Sequence, residues 1–339
     1  MRSYFLRRLL LIIPTFIGAT LIVFSMTRFV PGGPVERIIM ESSAMAMDGA
    51  SGNRQSMMLS ERQIEKLKEF YGLDKPIPEA YVDWIGNVLT GELGKSTRYY
   101  MPVWDMIIER LPIALYFGVL TFIISTVVSI PLGVAKALKH GGLMDNVSSG
   151  LIFLGFAVPA YVVGVLLLTW FSFSWELFPM GGFVHEDFED FSRGKQFLDL
   201  LWHTALPLIC YLIADFAVLT VTMKNNLMEN LSADYVRTAV AKGMPFKQAV
   251  KNHAFRNSLI PLASHFGNFL TAFLGGSFLI EVIFNIDGIG LLGFEALVEN
   301  DYPVVMGLLA ITTGLFLVGN ILSDILVALV DPRVKYGAK

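Results

Sequence analysis

The chain has 339 residues, of which 54% are apolar and only 16% charged. Soluble domains run to about 45–50% apolar and about 25% charged, so a water-soluble globule is excluded. The single cysteine, Cys210, excludes an internal disulfide framework or a cysteine metal cluster, and the net charge of −3 hides a strongly uneven distribution.

Six uninterrupted apolar runs lie at 9–29, 111–138, 147–173, 201–223, 259–284 and 304–330. Each suits a hydrocarbon core of about 30 Å, which takes about 20 helical residues. Backbone polar groups cannot be left bare in lipid, so an all-α polytopic membrane protein with six transmembrane helices is expected. The first run follows Arg2, Arg7 and Arg8. It is longer than a signal-peptide core and no A-x-A site follows, so residues 1–30 read as a cytoplasmic end and an uncleaved first span.

Residues 31–110 form a small extracytoplasmic segment. Its stretch 40–58, rich in Ser, Gly, Ala and Met, is expected to be a mobile loop. Ser60 with Gln63 fits a capping box, Ile64, Leu67 and Tyr71 make an apolar stripe, and Gly72 ends that helix. Residues 111–339 then hold five further spans. Pro14, Pro131, Pro159 and Pro207 fall in or beside spans, where kinks are tolerated if neighbours or water satisfy the freed carbonyls.

The placement of Lys and Arg sets the orientation. One side collects Arg2, Arg7, Arg8, Lys136, Lys139, Lys224, Arg237, Lys242, Lys247, Lys251, Arg256, Arg333, Lys335 and Lys339. Its acids are Asp145, Glu229, Asp234 and Asp331. The other side is acidic: 174–199 carries Glu176, Glu186, Asp187, Glu189 and Asp190, and the last outer loop has Asp287, Glu295, Glu299 and Asp301 with no Lys or Arg. The positive-inside rule makes both termini cytoplasmic.

Ionisable groups inside spans are few. Asp215 is near the middle of the fourth, where an unpaired acid costs about 2.5–3.5 kcal/mol on insertion scales. It must face the bundle or a watery path; a place on a substrate path and a plain packing contact both stay open. Glu281, near the outer end of the fifth span, joins it as a substrate-path candidate, placed where it could face a binding protein or a partner subunit. Asp324 reads as structural. His265 has no ligand-spaced neighbour, so it reads as a helix contact and no metal site is expected.

The cytoplasmic loop 224–258 is the most informative segment. Ser232 is expected to cap a short helix with Asp234 in its first turn. Tyr235, Val236, Ala239 and Val240 fall at helical spacing, Gly243 suits the helix end and Pro245 the start of a second helix. A solvated basic loop needs no apolar face, whereas a docking element does.

The run Tyr235-Val236-Arg237-Thr238-Ala239-Val240-Ala241-Lys242-Gly243, with Arg256-Asn257-Ser258-Leu259-Ile260-Pro261 after it, resembles the cytoplasmic EAA loop of ABC importer permeases. The likeness is to the oligopeptide, dipeptide and nickel branch, which has Arg-Thr-Ala where the general motif has Glu-Ala-Ala. Arg7-Arg8-Leu9-Leu10, Pro31-Gly32-Gly33-Pro34, Gly91-Glu92-Leu93-Gly94-Lys95-Ser96, Glu281-Val282-Ile283-Phe284 and Asp331-Pro332-Arg333 are similar to the first permease of that branch. Ser129-Ile130-Pro131-Leu132-Gly133 and Phe178-Pro179 look most like its YejB subgroup, associated with oligopeptides and microcin C.

The resemblance implies a type I ABC importer permease fold in the bacterial inner membrane, surrounded by lipid and without a nucleic-acid partner. It implies a second homologous permease, two ABC ATPase subunits or one fused ATPase, and an extracytoplasmic peptide-binding protein. ATP and Mg belong to the ATPases, so this chain is no enzyme and holds no cofactor. Tyr235, Val236, Arg237, Thr238, Ala239, Lys242, Gly243 and Pro245 then form the ATPase-coupling element.

Two nucleotide-like fragments fail on context. Gly94-Lys95-Ser96 has Leu89 where a P-loop needs its first glycine. Gly288-Ile289-Gly290-Leu291-Leu292-Gly293 follows an apolar span rather than a strand, so its glycines read as a tight turn or re-entry between spans. An ion-gradient-driven secondary transporter is the competing class. It calls for paired broken spans and several buried charges, and no internal repeat is evident here.

Overall fold

The structure, a computed structural model, describes residues 2–29, 33, 35–36, 38–40, 60–70, 74–264, 266–267, 269 and 276–330. The loop expected over 40–58 (beyond Met40), the helix end at Gly72, His265 and the basic residues Arg333, Lys335 and Lys339 lie outside the described residues.

The elements are α1 (Arg2–Phe29), α2 (Glu61–Phe70), α3 (Ile77–Leu89), α4 (Val103–Leu138), α5 (Leu143–Ala157) and α6 (Ala160–Leu167), which runs on as a π-helical turn Leu168–Ser174. They continue with a 3-10 turn Phe188–Asp190, α7 (Arg193–Ser232), α8 (Asp234–Ala241) and α9 (Phe246–Ala249). A π-helical segment Val250–Phe255 leads to α10 (Arg256–Ser258), α11 (Ile260–Ser264), α12 (Phe278–Ile283), α13 (Ile289–Val298) and α14 (Tyr302–Val330). Extended pairing among the described residues is a single bridge between Lys95 and Pro102.

Among the described residues, four helices are long and apolar enough to cross a membrane: Leu6–Phe29, Val103–Leu138, Arg193–Ile213 and Tyr302–Leu329. The third apolar run is not straight. Leu143–Ala157 and Ala160–Ser174 meet at 93°, because Pro159 drives the residue before it out of the helical region and Val158 adopts an extended φ −91°, ψ 125°. Pro14, Pro131 and Pro207 lie inside continuous helices. The run 259–284 contains undescribed residues, with α11 and α12 near its two ends.

Two compact units are resolved. The first comprises Met1–Leu9, Arg110–Leu291 and Leu315–Lys339. In it the row Phe117, Thr121, Ser125, Ser129 and Ala137 on α4 is buried, as is the row Leu206, Cys210, Ala217, Thr220, Met223 and Leu227 on α7. Small and hydroxyl side chains at four-residue spacing let membrane helices approach closely, and the Ser129 hydroxyl donates across to the Phe216 carbonyl at 3.3 Å. Arg8 pairs with Asp324 at 2.8 Å, giving Asp324 the structural part expected of it.

The second unit comprises Leu10–Glu109 and Leu292–Gly314. Phe24, Ala80, Tyr81 and Met306 form its core, with the Thr20 and Tyr81 hydroxyls bonded at 2.8 Å. Asp301 accepts from the Ser96 hydroxyl at 2.5 Å and the Thr97 amide at 3.1 Å. The Ser60 amide donates to Gln63 Oε1 at 2.8 Å, so the expected box closes from the glutamine side.

Candidate functional site

The segment 234–258 is built on the end of α7. Val236 is 2% exposed and packs in one apolar cluster with Ala137 of α4, Met223 and Leu227 of α7, and Ala249, Val250 and Ala254 beyond. Tyr235 and Ala239 pack on the same cluster. The Tyr235 hydroxyl bonds Asn230 Oδ1, and Asn230 Nδ2 donates to the Ser258 hydroxyl at 3.1 Å, so a polar string runs beside the apolar one.

The other face of α8 is open. Arg237, Thr238, Val240 and Ala241 are exposed, as are Lys242, Gly243, Pro245 and Phe246 after it. Gly243 takes φ +92°, a backbone that glycine adopts without a Cβ penalty, and its amide closes the turn on the Val240 carbonyl at 2.9 Å. Ser232 does not cap α8. It is the last residue of α7 and its hydroxyl donates to the Glu229 carbonyl at 2.8 Å, leaving Ala233 at the cap position. Val240 is 40% exposed, so the apolar spacing seen in the sequence divides between the seat and the open face.

At Lys224, ten residues before α8, lies a charge cluster that sequence reading took for loop charges. Lys224 Nζ donates to both oxygens of Asp145, at 2.7 and 2.8 Å. Lys136 Nζ lies 3.1 Å from the same carboxylate and donates to the Ser148 and Ser149 hydroxyls at 2.7 and 2.8 Å. The Gly141 amide adds a further bond at 3.1 Å. Asp145 is 2% and Lys136 1% exposed. One carboxylate therefore ties α4, α5 and α7 together just ahead of α8. The one signal in the sequence was the short Gly141-Gly142 turn that brings 136 and 145 onto neighbouring helices.

The two mid-chain acids have different surroundings. Glu281 is buried and accepts from the Leu291 amide at 2.6 Å, the Ser277 amide at 3.1 Å and the Tyr211 hydroxyl at 3.3 Å. Leu291 is in the first turn of α13, where free amides favour an anion. The pattern Gly288-x-Gly290 makes room for that anion: a Cβ on Gly288 would stand 2.5 Å from the Glu281 carboxylate, and one on Gly290 2.9 Å. The glycine motif thus builds an anion pocket that the chain fills itself. Asp215 lines a small cavity of about 50 Å³ with Glu281, Tyr211, Thr121, Phe117 and Phe269.

Residues 129–336 match the family described as "Binding-protein-dependent transport system inner membrane component". Over 99% of both chains, the sequence is 37% identical to the "Peptidoglycan transport system permease protein YejB" of Agrobacterium fabrum. It is 36% identical to the "Inner membrane ABC transporter permease protein YejB" of Escherichia coli O157:H7, again over 99% of each. The "Dipeptide transport system permease protein DppB" of Escherichia coli K12 is 33% identical over 99% of each.

Proposed function

Because the chain belongs to the binding-protein-dependent transport system inner membrane component family, we propose that it is the transmembrane permease subunit of an ABC importer for oligopeptides. It forms part of the route through the membrane and leaves ATP hydrolysis to a partner. Its relatives carry the words peptidoglycan, which contains short peptides, and dipeptide in their names. An importer of peptides, microcin C-like ones included, suits both.

The finer arrangement follows the charge map. Six spans, the fifth at 259–284, place both termini and the segment 224–258 in the cytoplasm, and 31–110 outside the inner membrane. A second homologous permease completes the pore, two ATPases or one fused ATPase bind ATP and Mg, and a peptide-binding protein delivers cargo from outside.

The observation that carries this reading is the two-faced α8. Tyr235, Val236 and Ala239 fasten it to α4 and α7, while Arg237, Thr238 and Val240 point away from the chain. A helix so mounted is a handle: a push on the open face reaches α7 through the apolar seat, and reaches α4 and α5 through the Asp145 cluster. ATPase closure on Arg237, Thr238, Lys242 and the Gly243-Met244-Pro245 turn would thereby move the pore helices.

The test is a crosslinker on Thr238→Cys in the assembled, transporting complex. It should capture an ATPase subunit, and Gly243→Glu should leave the protein inserted while uncoupling hydrolysis from uptake. A working complex in which Thr238→Cys never captures a nucleotide-hydrolysing neighbour would sink the assignment. Uptake that survives ATP depletion and follows an ion gradient would favour a secondary transporter instead.

A further inference from the structure

Among the described residues, four polar side chains line the cavity beside α4 and α7, and two of them are already engaged. Glu281 has its three donors, and the Tyr211 hydroxyl donates to Glu281 while accepting from the Ser277 amide at 3.2 Å. The other two are not. Asp215, half-buried, makes no hydrogen bond or ion pair among the described residues. Thr121 is 6% exposed, and its hydroxyl is buried without a partner among the described residues. Buried polar groups are nearly always satisfied, so an orphan calls for a missing water, ion or ligand group.

The rest of the lining is Phe117, Phe269 and other apolar surface, with the Phe117 and Tyr211 rings stacked at 5.1 Å. An ionised carboxylate in such surroundings keeps much of its field, because little water screens it. Aromatic walls also favour a cation over an anion. The volume sets the size of the guest. About 50 Å³ holds a few groups of water size, each needing about 10–15 Å³; a whole peptide does not fit.

We propose that Asp215 and Thr121 form a subsite for a primary ammonium group, and that in the working transporter the group it receives is the α-ammonium of the peptide cargo. The inference rests on the peptide-importer reading and adds the chemical group recognised. Among peptides with a free N-terminus, the α-ammonium is the one cation present whatever the side chains. Asp215 supplies the charge and Thr121 a hydroxyl acceptor, and the headgroup enters while the remaining peptide stays outside the cavity.

The experiment uses the complete transporter in proteoliposomes with its binding protein, and two probes: trialanine and N-acetyl-trialanine. Uptake is normalised to the amount of each probe loaded on the binding protein, so that protein's own preference drops out. A charge-assisted hydrogen bond is worth about 1.5–3 kcal/mol, or about tenfold and more. Asp215→Asn should therefore slow trialanine about tenfold and leave N-acetyl-trialanine within about twofold. Thr121→Val, with the same shape, should give a smaller loss of the same selectivity and serves if Asp215→Asn does not assemble.

Equal losses for both probes would overturn the proposal in favour of a packing role or a basic side chain from the partner permease. No loss for either would overturn it as well. Uptake of trialanine that collapses when sodium is replaced by choline would assign the site to a metal cation instead. Failure of the importer reading is separate, since then the unaltered complex takes up neither probe on ATP.

Discussion

Asp145 is the sole acidic partner of Lys136 and Lys224 among the described contacts; Asp145 and Lys136 are removed from water and Lys224 is largely so. Taking its charge away leaves two ammonium groups facing one another in a buried place. Breaking a buried pair from one side costs about 3–5 kcal/mol, so Asp145→Asn should lower the unfolding midpoint of the purified complex markedly. Adding Lys224→Met should recover part of the loss. A single variant that melts with the unaltered protein would mean that the carboxylate is not the counter-charge. Gly290 lies under a similar constraint from the opposite direction, crowding. Gly290→Ala brings a methyl to 2.9 Å from Glu281 Oε1 and from the Phe278 amide nitrogen, an overpacking of about 1–3 kcal/mol. Combined with Glu281→Ala, its effect should be less than additive, because the two changes meet at one place.

At the level of the element, α8 is short, and eight residues are too few to hold a helix in water without tertiary support. Its stability comes from the seat. Val236→Asp puts an unpaired charge into a site that is 2% exposed, so the α8 segment should detach, with uptake and the Thr238→Cys crosslink lost together. Arg237→Glu alters only the open face; melting should stay unchanged while stimulation of the ATPase falls. Ser232→Ala checks the cap directly. Because that hydroxyl bonds Glu229 and not an α8 amide, the change should stay within about 0.5 kcal/mol, where a true N-cap would show about 1 kcal/mol.

For the whole molecule, the six-run reading and the structure agree on continuous apolar helices at the first, second, fourth and last positions. They differ at the third, where the chain turns through 93° at Val158–Pro159. Hydropathy averages over a window and carries no direction, so a run of the right length looks the same straight or bent. Pro159 marked the place of the bend, but Pro131 and Pro207 sit within unbroken helices, so proline alone did not tell which position turns. The map of charge along the chain makes a check at this scale. Single cysteines introduced at positions 3 and 140 should be labelled from the same side of the membrane, and one at 187 from the other. Any other pattern would reverse or break the proposed topology.

What the residues alone determined is whatever depends on neighbours in the chain. Run length against bilayer thickness makes this a membrane protein, lysine and arginine placement gives the proposed orientation, and the Tyr235 to Gly243 string carries the family likeness and the proposed docking element. What only the tertiary structure decided is which distant side chains meet. Lys136, Asp145 and Lys224 look like solvated loop charges until three helices bring them within hydrogen-bond reach. Glu281 and Asp215 look alike as acids in apolar runs. Yet one is satisfied by amides of its own loop and a tyrosine, while the other is left open to a cavity. A carboxylate's role is set by the donors around it, and those donors come from parts of the chain whose approach no local pattern encodes.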